Sequence, residues 1–253
     1  MGCASTADHD LPDREKEWEN AISCSSALLQ NAQLRKDPAL LGGAAHYCCE
    51  IAQQYLQNNQ DVQARAEIKR AFTFERKSIR AMLLLADIEQ REGKYKAAIK
   101  ELLRVRAAKP QFIAQVLEPL ASCHDSLGTR ADFEKVLRTM VLEDSSTEAA
   151  LMLVKITNAS PGYVEAIRLL RAHLEHSPSA GALIELLGLQ LNGVDENVAS
   201  SLESLLNLVK AQAQGSSEYR CHHCGFETKN FFWMCPSCKQ WDKISPINDL
   251  SAR

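Results

Sequence analysis

The sequence predicts a mainly α protein: a solenoid of antiparallel helix pairs followed by a small four-cysteine β module. Three observations predict it. From Arg14 to about Gln214, apolar residues fall at i, i+3, i+4 and i+7 in Ala- and Leu-rich segments, with no strand-like alternation. The turn signals between these segments recur at a nearly constant spacing. Beyond Gln214 the composition changes to cysteine and aromatic residues, and Tyr219 to Trp241 reads YRCHHCGFETKNFFWMCPSCKQW.

Taken in order, residues 1–13 carry no periodicity and are expected to form a disordered tail. The helical pattern then runs over 14–214, broken at Asn58-Asn59, Glu92-Gly93, Lys109-Pro110, Leu127-Gly128, Ser160-Pro161-Gly162, Ser177-Pro178 and Asn192-Gly193. Aligning Ala45, Ile79, Ala114 and Thr147 gives steps of 34, 35 and 33 residues. A period near 34 with two helices per unit is the tetratricopeptide signature. In the unit from Ile79, Leu85-Ala86 is the large-and-small pair, Gly93 makes the inter-helix turn, Tyr95 follows it, Ala98 sits at a close helix approach and Pro110 closes the unit. Corresponding positions are Ile51-Ala52, Tyr55, Ala64 and Ala71 in the unit from Ala45, and Leu120-Ala121, Gly128 and Phe133 in the unit from Ala114. From Thr147 they are Leu153-Val154, Tyr163, Ala166 and Pro178. The units are therefore placed near 45–78, 79–113, 114–146 and 147–179, with a degenerate pair over 180–214. Small residues at Ala52, Ala86, Ala98 and Ala121 let the helices close up. No pair has enough core to stand alone, so each buries its face on its neighbours. Trp18 and Ala21 read as the second helix of a unit whose first helix is missing, so the array is expected to be N-terminally truncated.

Residues 215–253 form the second domain. Gly215-Ser216-Ser217 is a short flexible joint, and the module beyond it is expected to fold back on the last helices as a cap. Cys221 and Cys224 make one C-x-x-C pair and Cys235 and Cys238 another, separated by residues 225–234. Each pair presents two sulfurs from one tight turn, so the four can surround a single ion tetrahedrally. Gly225 stands where such a turn needs positive φ, and Pro236 presets φ in the second turn. A lone C-x-x-C would equally suit a redox dithiol; two such pairs with turn residues in place point to metal. So short a segment has too little apolar core to fold by itself, and the ion must supply the difference. Tyr219, Phe226, Phe231, Phe232, Trp233 and Trp241 crowd the same stretch, forming a mini-core or a docking face. His222 and His223 lie between the first two cysteines and are expected to face solvent, since four sulfurs already fill the coordination positions.

Composition narrows the function. Lys and Arg total 29 against 32 Asp and Glu, a net charge of −3, which gives no global basic footprint for nucleic acid. The uncharged stretch Ala39 to Cys49 falls well short of the roughly 20 apolar residues that span a membrane, and MGCASTADHD lacks the basic start and apolar core of a signal peptide. Of nine cysteines, Cys24, Cys48, Cys49 and Cys123 lie in helical patterns and read as small buried residues in a reducing compartment. No G-x-x-x-x-G-K-[ST] or H-E-x-x-H occurs. A closed four-sulfur site has no open position for water, so it is structural or at most electron-carrying. His173 and His176, near the end of a helix, favour its C-terminal dipole rather than a metal. No catalytic residue is assigned.

A solenoid without catalysis binds partners. First helices line its concave face, and Gln53, Arg80, Asp87, Arg91, Glu118, Asp125 and Lys155 there escape the packing pattern. Their mixed signs fit a folded protein or peptide better than a polyanion. In residues 219–253, Arg220, Lys229, Lys239, Lys243 and Arg253 outnumber Glu227, Asp242 and Asp249 by two, which four thiolates around a divalent ion offset; no nucleic-acid partner is expected.

Helical repeats followed by YRC-x-x-CGF…W-x-CPSC-x-x-W…I-x-P-I resemble the lipopolysaccharide assembly protein B family of Gram-negative bacteria, over nearly the whole chain from about Arg14. The resemblance implies a non-enzymatic adaptor that presents the lipid A pathway's committed-step deacetylase to the membrane protease FtsH, regulates lipopolysaccharide biosynthesis and links it to the transport machinery and other inner-membrane proteins. It implies metal ligation by Cys221, Cys224, Cys235 and Cys238, tilts the choice toward one iron ion with zinc as the alternative, and allows a homodimer. It places the family at the inner membrane, cytoplasmic side, through an N-terminal anchor helix, which is expected to be missing from this chain; the chain alone is expected to be soluble and cytoplasmic. The competing functions are a rubredoxin-like electron carrier and a nucleic-acid-binding zinc ribbon.

Overall fold

The computed structural model describes residues 11–158, 163–191, 194–214 and 217–247. Among them are eleven α-helices, one 3-10 turn and three short strands. The chain divides into two compact units, Met1–Ala108 and Lys109–Arg253. The proposed breaks at 160–162 and 192–193 and the first two residues of the joint at 215–217 lie outside the described residues, as do residues 1–10 of the tail.

The first unit holds α1 (Leu11–Leu29), α2 (Pro38–Gln57), α3 (Asp61–Phe74), α4 (Ile79–Arg91) and α5 (Tyr95–Ala108). Helix α1 begins at Leu11, inside the stretch read as tail. Asp37 starts α2 by accepting hydrogen bonds from the Ala39 and Leu40 amides at 2.8 and 3.2 Å, with Pro38 in the first turn where no amide partner is needed. Asn59 and Gly93 take left-handed conformations in the turns that end α2 and α4. Antiparallel pairs α2/α3 and α4/α5 result, and α2 also packs on α4, so first helices stack on first helices. Ile22, Cys48, Ile51, Ala52, Ile68 and Ile88 share one core, with Trp18 stacked on Tyr47 at 5.6 Å. Ala52, Ala86 and Ala98 are buried as the repeat pattern requires. Charged bridges clip the helices together: Arg65 reaches Glu89 and Glu92 on or beside α4 at 2.6 and 3.0 Å, and Arg70 reaches Glu19 on α1 at 2.8 Å.

Cys48 and Cys49 are core residues as expected, and burial pushes the Cys48 thiol up to about 12. Cys24 is a correction. It is exposed, because Trp18, Ile22 and Ser25 define the buried stripe of α1 and Cys24 stands two residues past Ile22, on the other side of the helix.

The second unit opens with a 3-10 turn, η1 (Pro110–Phe112), followed by α6 (Ile113–Leu127), α7 (Arg130–Asp144), α8 (Thr147–Asn158), α9 (Tyr163–His176), α10 (Ala180–Leu191) and α11 (Glu196–Gln214). The first helices α4, α6, α8 and α10 of successive pairs start at intervals of 34, 34 and 33 residues. Ser146 and Ser179 cap α8 and α10, accepting from the Ala149 and Ala182 amides at 3.2 and 3.3 Å. Within this unit α6 packs on α8 and α8 on α10, repeating the stacking of first helices. Cys123 is buried as expected; Ala121, read as a close-approach position, is only half-buried. Beyond α11 lie β1 (Tyr219–Cys221), β2 (Glu227–Thr228) and β3 (Ile244–Pro246), an antiparallel sheet in the order β2-β1-β3. Tyr219 pairs with Thr228 on one side and Pro246 on the other.

Candidate metal centre

Two matching turns build the centre. In the first, the Gly225 amide donates to the Cys221 carbonyl at 2.9 Å and the Cys221 amide to the Phe226 carbonyl at 2.8 Å. In the second, the Lys239 amide donates to the Cys235 carbonyl at 2.9 Å and the Cys235 amide to the Gln240 carbonyl at 2.9 Å. Gly225 and Lys239 occupy the same place, one residue past the second cysteine, and both have positive φ, 76° and 60°. Glycine reaches that conformation without cost, and lysine carries the penalty of its Cβ. Sequence reasoning anticipated Gly225 and had no signal for Lys239.

The turns face each other. Cys221 Sγ lies 3.8 Å from Cys238 Sγ, Cys224 Sγ lies 3.7 Å from Cys235 Sγ, and all four sulfurs fall within 4.8 Å of one another. A metal–sulfur bond of about 2.3 Å in a regular tetrahedron places sulfurs about 3.8 Å apart. A disulfide needs about 2.05 Å. The sulfurs are therefore spaced for an ion, and the chemistry of four thiolates suits zinc or iron. Cys221 and Cys235 are buried with Ile244, packed against Tyr219, Phe226, Phe231 and Cys238, while Cys224 is at the surface.

Backbone amides tune the sulfurs. The Phe226 amide hydrogen-bonds the Cys224 sulfur and, as the largest influence, draws its thiol down to about 7. At the equivalent place the Gln240 amide bonds the Cys238 sulfur, but removal from water outweighs it and pushes that thiol up to about 12. Four crowded thiols resist losing all their protons together, and an ion supplies the compensating charge. His222 and His223 are exposed, as expected, and a His222 ring nitrogen shares a hydrogen bond with the Ser245 hydroxyl.

The aromatic residues do both jobs foreseen for them. Phe231 meets Tyr219 and Trp233 edge-on at 5.8 and 4.9 Å inside the module. Trp233 then stacks on Phe112 of η1 at 5.4 Å and 11°, and Lys109 Nζ reaches Asp242 Oδ2 at 3.2 Å. The module thus docks on the turn that precedes α6. Docking on the last helices was expected; instead a cleft lies between the sheet and α8, α10 and α11. The buried aromatic Phe112 is the functional residue that sequence reasoning missed. Only its place after Lys109-Pro110, apart from the helical stripes, could have marked it.

The seven candidate contact residues fall into local groups. In the first unit Arg80 is buried, and its guanidinium donates to Glu50 Oε1 at 2.6 Å and Gln53 Oε1 at 2.7 Å. Arg91 pairs with Asp87 one turn back at 3.0 Å and donates to the Leu56 carbonyl at 3.1 Å. Arg80 and Arg91 therefore tie α4 to α2, and their charges are already answered. In the second unit Glu118, Asp125 and Lys155 are exposed.

Residues 219–246 match the family described as "Rubredoxin metal binding domain". Over 235 residues the chain is 29% identical to lipopolysaccharide assembly protein B of Escherichia coli K12, covering 92% of this chain and 59% of that protein. It is 28% identical over 237 residues to the protein of the same name from Haemophilus influenzae, covering 93% of this chain and 59% of that one. The chain thus spans 59% of the length of these curated relatives. Among solved structures it is similar to Pseudomonas aeruginosa pilF, at 17% identity and a TM-score of 0.43, covering 81% of this chain and 95% of that one. The resemblance carried by repeats plus paired knuckles holds across nearly the whole sequence.

Proposed function

We propose that the chain is a non-enzymatic adaptor in lipopolysaccharide assembly. In this role its repeats, over 14–214, hold protein partners and its metal module, over 215–253, fixes the end of the array. The observation that carries the proposal is similarity to lipopolysaccharide assembly protein B over 92% of the chain, running through the four cysteines. Chemistry supports it. Cys221, Cys224, Cys235 and Cys238 would hold one ion with every coordination position filled by sulfur, so the ion supplies folding energy and leaves no place to activate water. In the finer form of the proposal, the partners are the lipid A pathway deacetylase and the protease FtsH at the cytoplasmic face of the inner membrane. The ion is iron, and Glu118, Asp125 and Lys155 belong to the contact surface. No helix among the described residues is long and apolar enough to cross a membrane.

The test is a pull-down of the purified chain against the deacetylase and the cytosolic part of the protease, with metal content and visible absorption read on the same sample. Retention of the deacetylase with one ion per chain supports the adaptor. A reversibly bleached iron chromophore with no partner retained transfers the assignment to electron transport. A shift of DNA or RNA that salt abolishes would assign the module to nucleic acid.

A further inference from the structure

The cleft in the second unit has no part in the metal centre. One wall is helical: Thr147, Glu148 and Leu151 at the start of α8, Gly181 and Leu183 at the start of α10, and Leu208 on α11. The other is the sheet with its flanking residues, including Glu218, Tyr219, Arg220 and Ile247. Its volume is about 1180 Å³, above the range of roughly 300–1,000 Å³ that encloses a small ligand. On its α11 wall Leu208 is 67% exposed, and Val198 and Leu205, outside the lining on the same helix, are 48 and 51% exposed. Three large aliphatic side chains along one helix face are more than isolated surface residues require.

Charge selects the occupant. Four charged side chains line the cleft: Glu148, Glu218, Arg220 and Glu227. Arg220 is spent on Glu227, at 2.7 and 2.9 Å. Glu148 has the Ser146 hydroxyl as its partner at 2.9 Å, and Glu218 has no ion-pair partner among the described residues. Two carboxylates from separate elements thus face one apolar cleft without a cation. The N-termini of α8 and α10 also point this way, and their partial positive charge would favour an anion. Ser146 and Ser179 already satisfy amides there, and Glu148 sits in the first turn of α8, so the two full negative charges prevail.

We propose that this cleft is a docking site for a partner's peptide segment that presents aliphatic side chains beside Lys or Arg. The aliphatic groups cover Leu208 and Leu151, and the cations answer Glu148 and Glu218. The proposal does not depend on the pathway the protein serves, so failure to retain the deacetylase would leave it standing.

Fluorescence anisotropy of the full chain with a labelled leucine–lysine peptide tests it, with a leucine–glutamate peptide of equal length as control. Saturable binding of the first alone is expected, weakening as salt rises. Leu208→Ser and Glu218→Lys should each weaken it about tenfold; both residues are exposed, so unchanged circular dichroism verifies that the variants are folded. Equal binding of the acidic peptide, unaltered affinity in both variants, or no saturable binding overturns the proposal. So does a concentration-dependent dimer that Leu208→Ser dissociates and the peptide leaves intact, because the cleft would then belong to a second copy of the chain.

Discussion

The first helices and the terminal module face the same shortage of core and meet it differently. Around α2, α3 and α4 a continuous cluster runs from Ile22 through Ile51, Ala64 and Ile68 to Ile88, each helix lending its stripe to the next. The module buries little beyond Cys221, Cys235 and Ile244, and two of those three are ligand candidates. Apolar area stabilises the repeats in many small increments. In the module one coordination shell takes over that role, so its stability is concentrated in four atoms. The same residue type serves both regimes: Cys48 is a small hydrophobe inside the repeat core, whereas Cys221, Cys224, Cys235 and Cys238 bring their sulfurs within 4.8 Å of one another.

The contrast breaks most completely at Cys235. Cys235→Ser removes a fully buried sulfur from one corner of the site. We expect the bound ion to be lost and the module to unfold, exposing Phe231 and Trp233. Far-UV dichroism should stay helical while the near-UV signal collapses; a retained stoichiometric ion and an unchanged near-UV spectrum would refute the assignment. Structural four-ligand sites contribute on the order of 10 kcal/mol to the folding of small metal modules, so no repacking should rescue the variant.

Next in size is the seam inside the second unit between the 3-10 turn η1 and the module. Phe112 is 2% exposed and touches both Trp233 and Phe231. Phe112→Ala should lower stability by about 3–5 kcal/mol, the usual cost of emptying a buried aromatic site. Unlike Cys235→Ser, it should leave the ion bound. Metal content alongside a urea melt separates the outcomes: loss of the ion in this variant would mean that the module's fold depends on its docking.

The knuckles permit a smaller and sharper comparison, since one backbone turn is built with Gly225 and again with Lys239. Gly225→Ala should cost about 1–2 kcal/mol because φ is 76° there. Lys239→Gly relieves strain at φ 60° but loosens the unfolded chain, so its effect should stay within about 1 kcal/mol. Midpoints of thermal unfolding for the two variants check the difference; equal losses would show that the turns are held by their sulfurs rather than by their own backbone preferences.

Much of this was legible in sequence because it is local or periodic. The 34-residue step set Ile79, Ala114 and Thr147 within one residue of the starts of α4, α6 and α8, whereas Ala45 lies seven residues inside α2, which Asp37 and Pro38 start earlier; two C-x-x-C pairs located the sulfurs. What escaped depends on partners distant in the chain. Arg80 reads as a surface cation until Glu50, 30 residues away, is seen to hold it. Cys24 reads as buried from its helical pattern, but its angle about α1 decides otherwise. The docking of Trp233 on Phe112 joins residues with no pattern in common, so nothing periodic announces it.

The smallest expected effect is a pH dependence on the repeat side of the comparison. His173 of α9 is 5% exposed, and its Nε2 shares a hydrogen bond with Thr147 Oγ1 of α8 at 3.1 Å. Burial, as the largest cause, lowers its pKa from the ordinary 6.5; His176 lowers it further and Glu148 opposes. The neutral ring is therefore favoured in the folded state. Its contribution is fully present above about pH 6.5 and is lost as pH falls through the lower folded value, because the unfolded chain takes up the proton first. Urea midpoints measured downward from neutral pH should fall in the native chain and fall less steeply in His173→Gln, which keeps a polar group near Thr147 without a titrating ring. Identical slopes in the two proteins would assign the acid sensitivity elsewhere, to the thiolates that an ion must hold deprotonated. Metal release followed over the same pH range would then track the loss of stability, which the His173 account does not require.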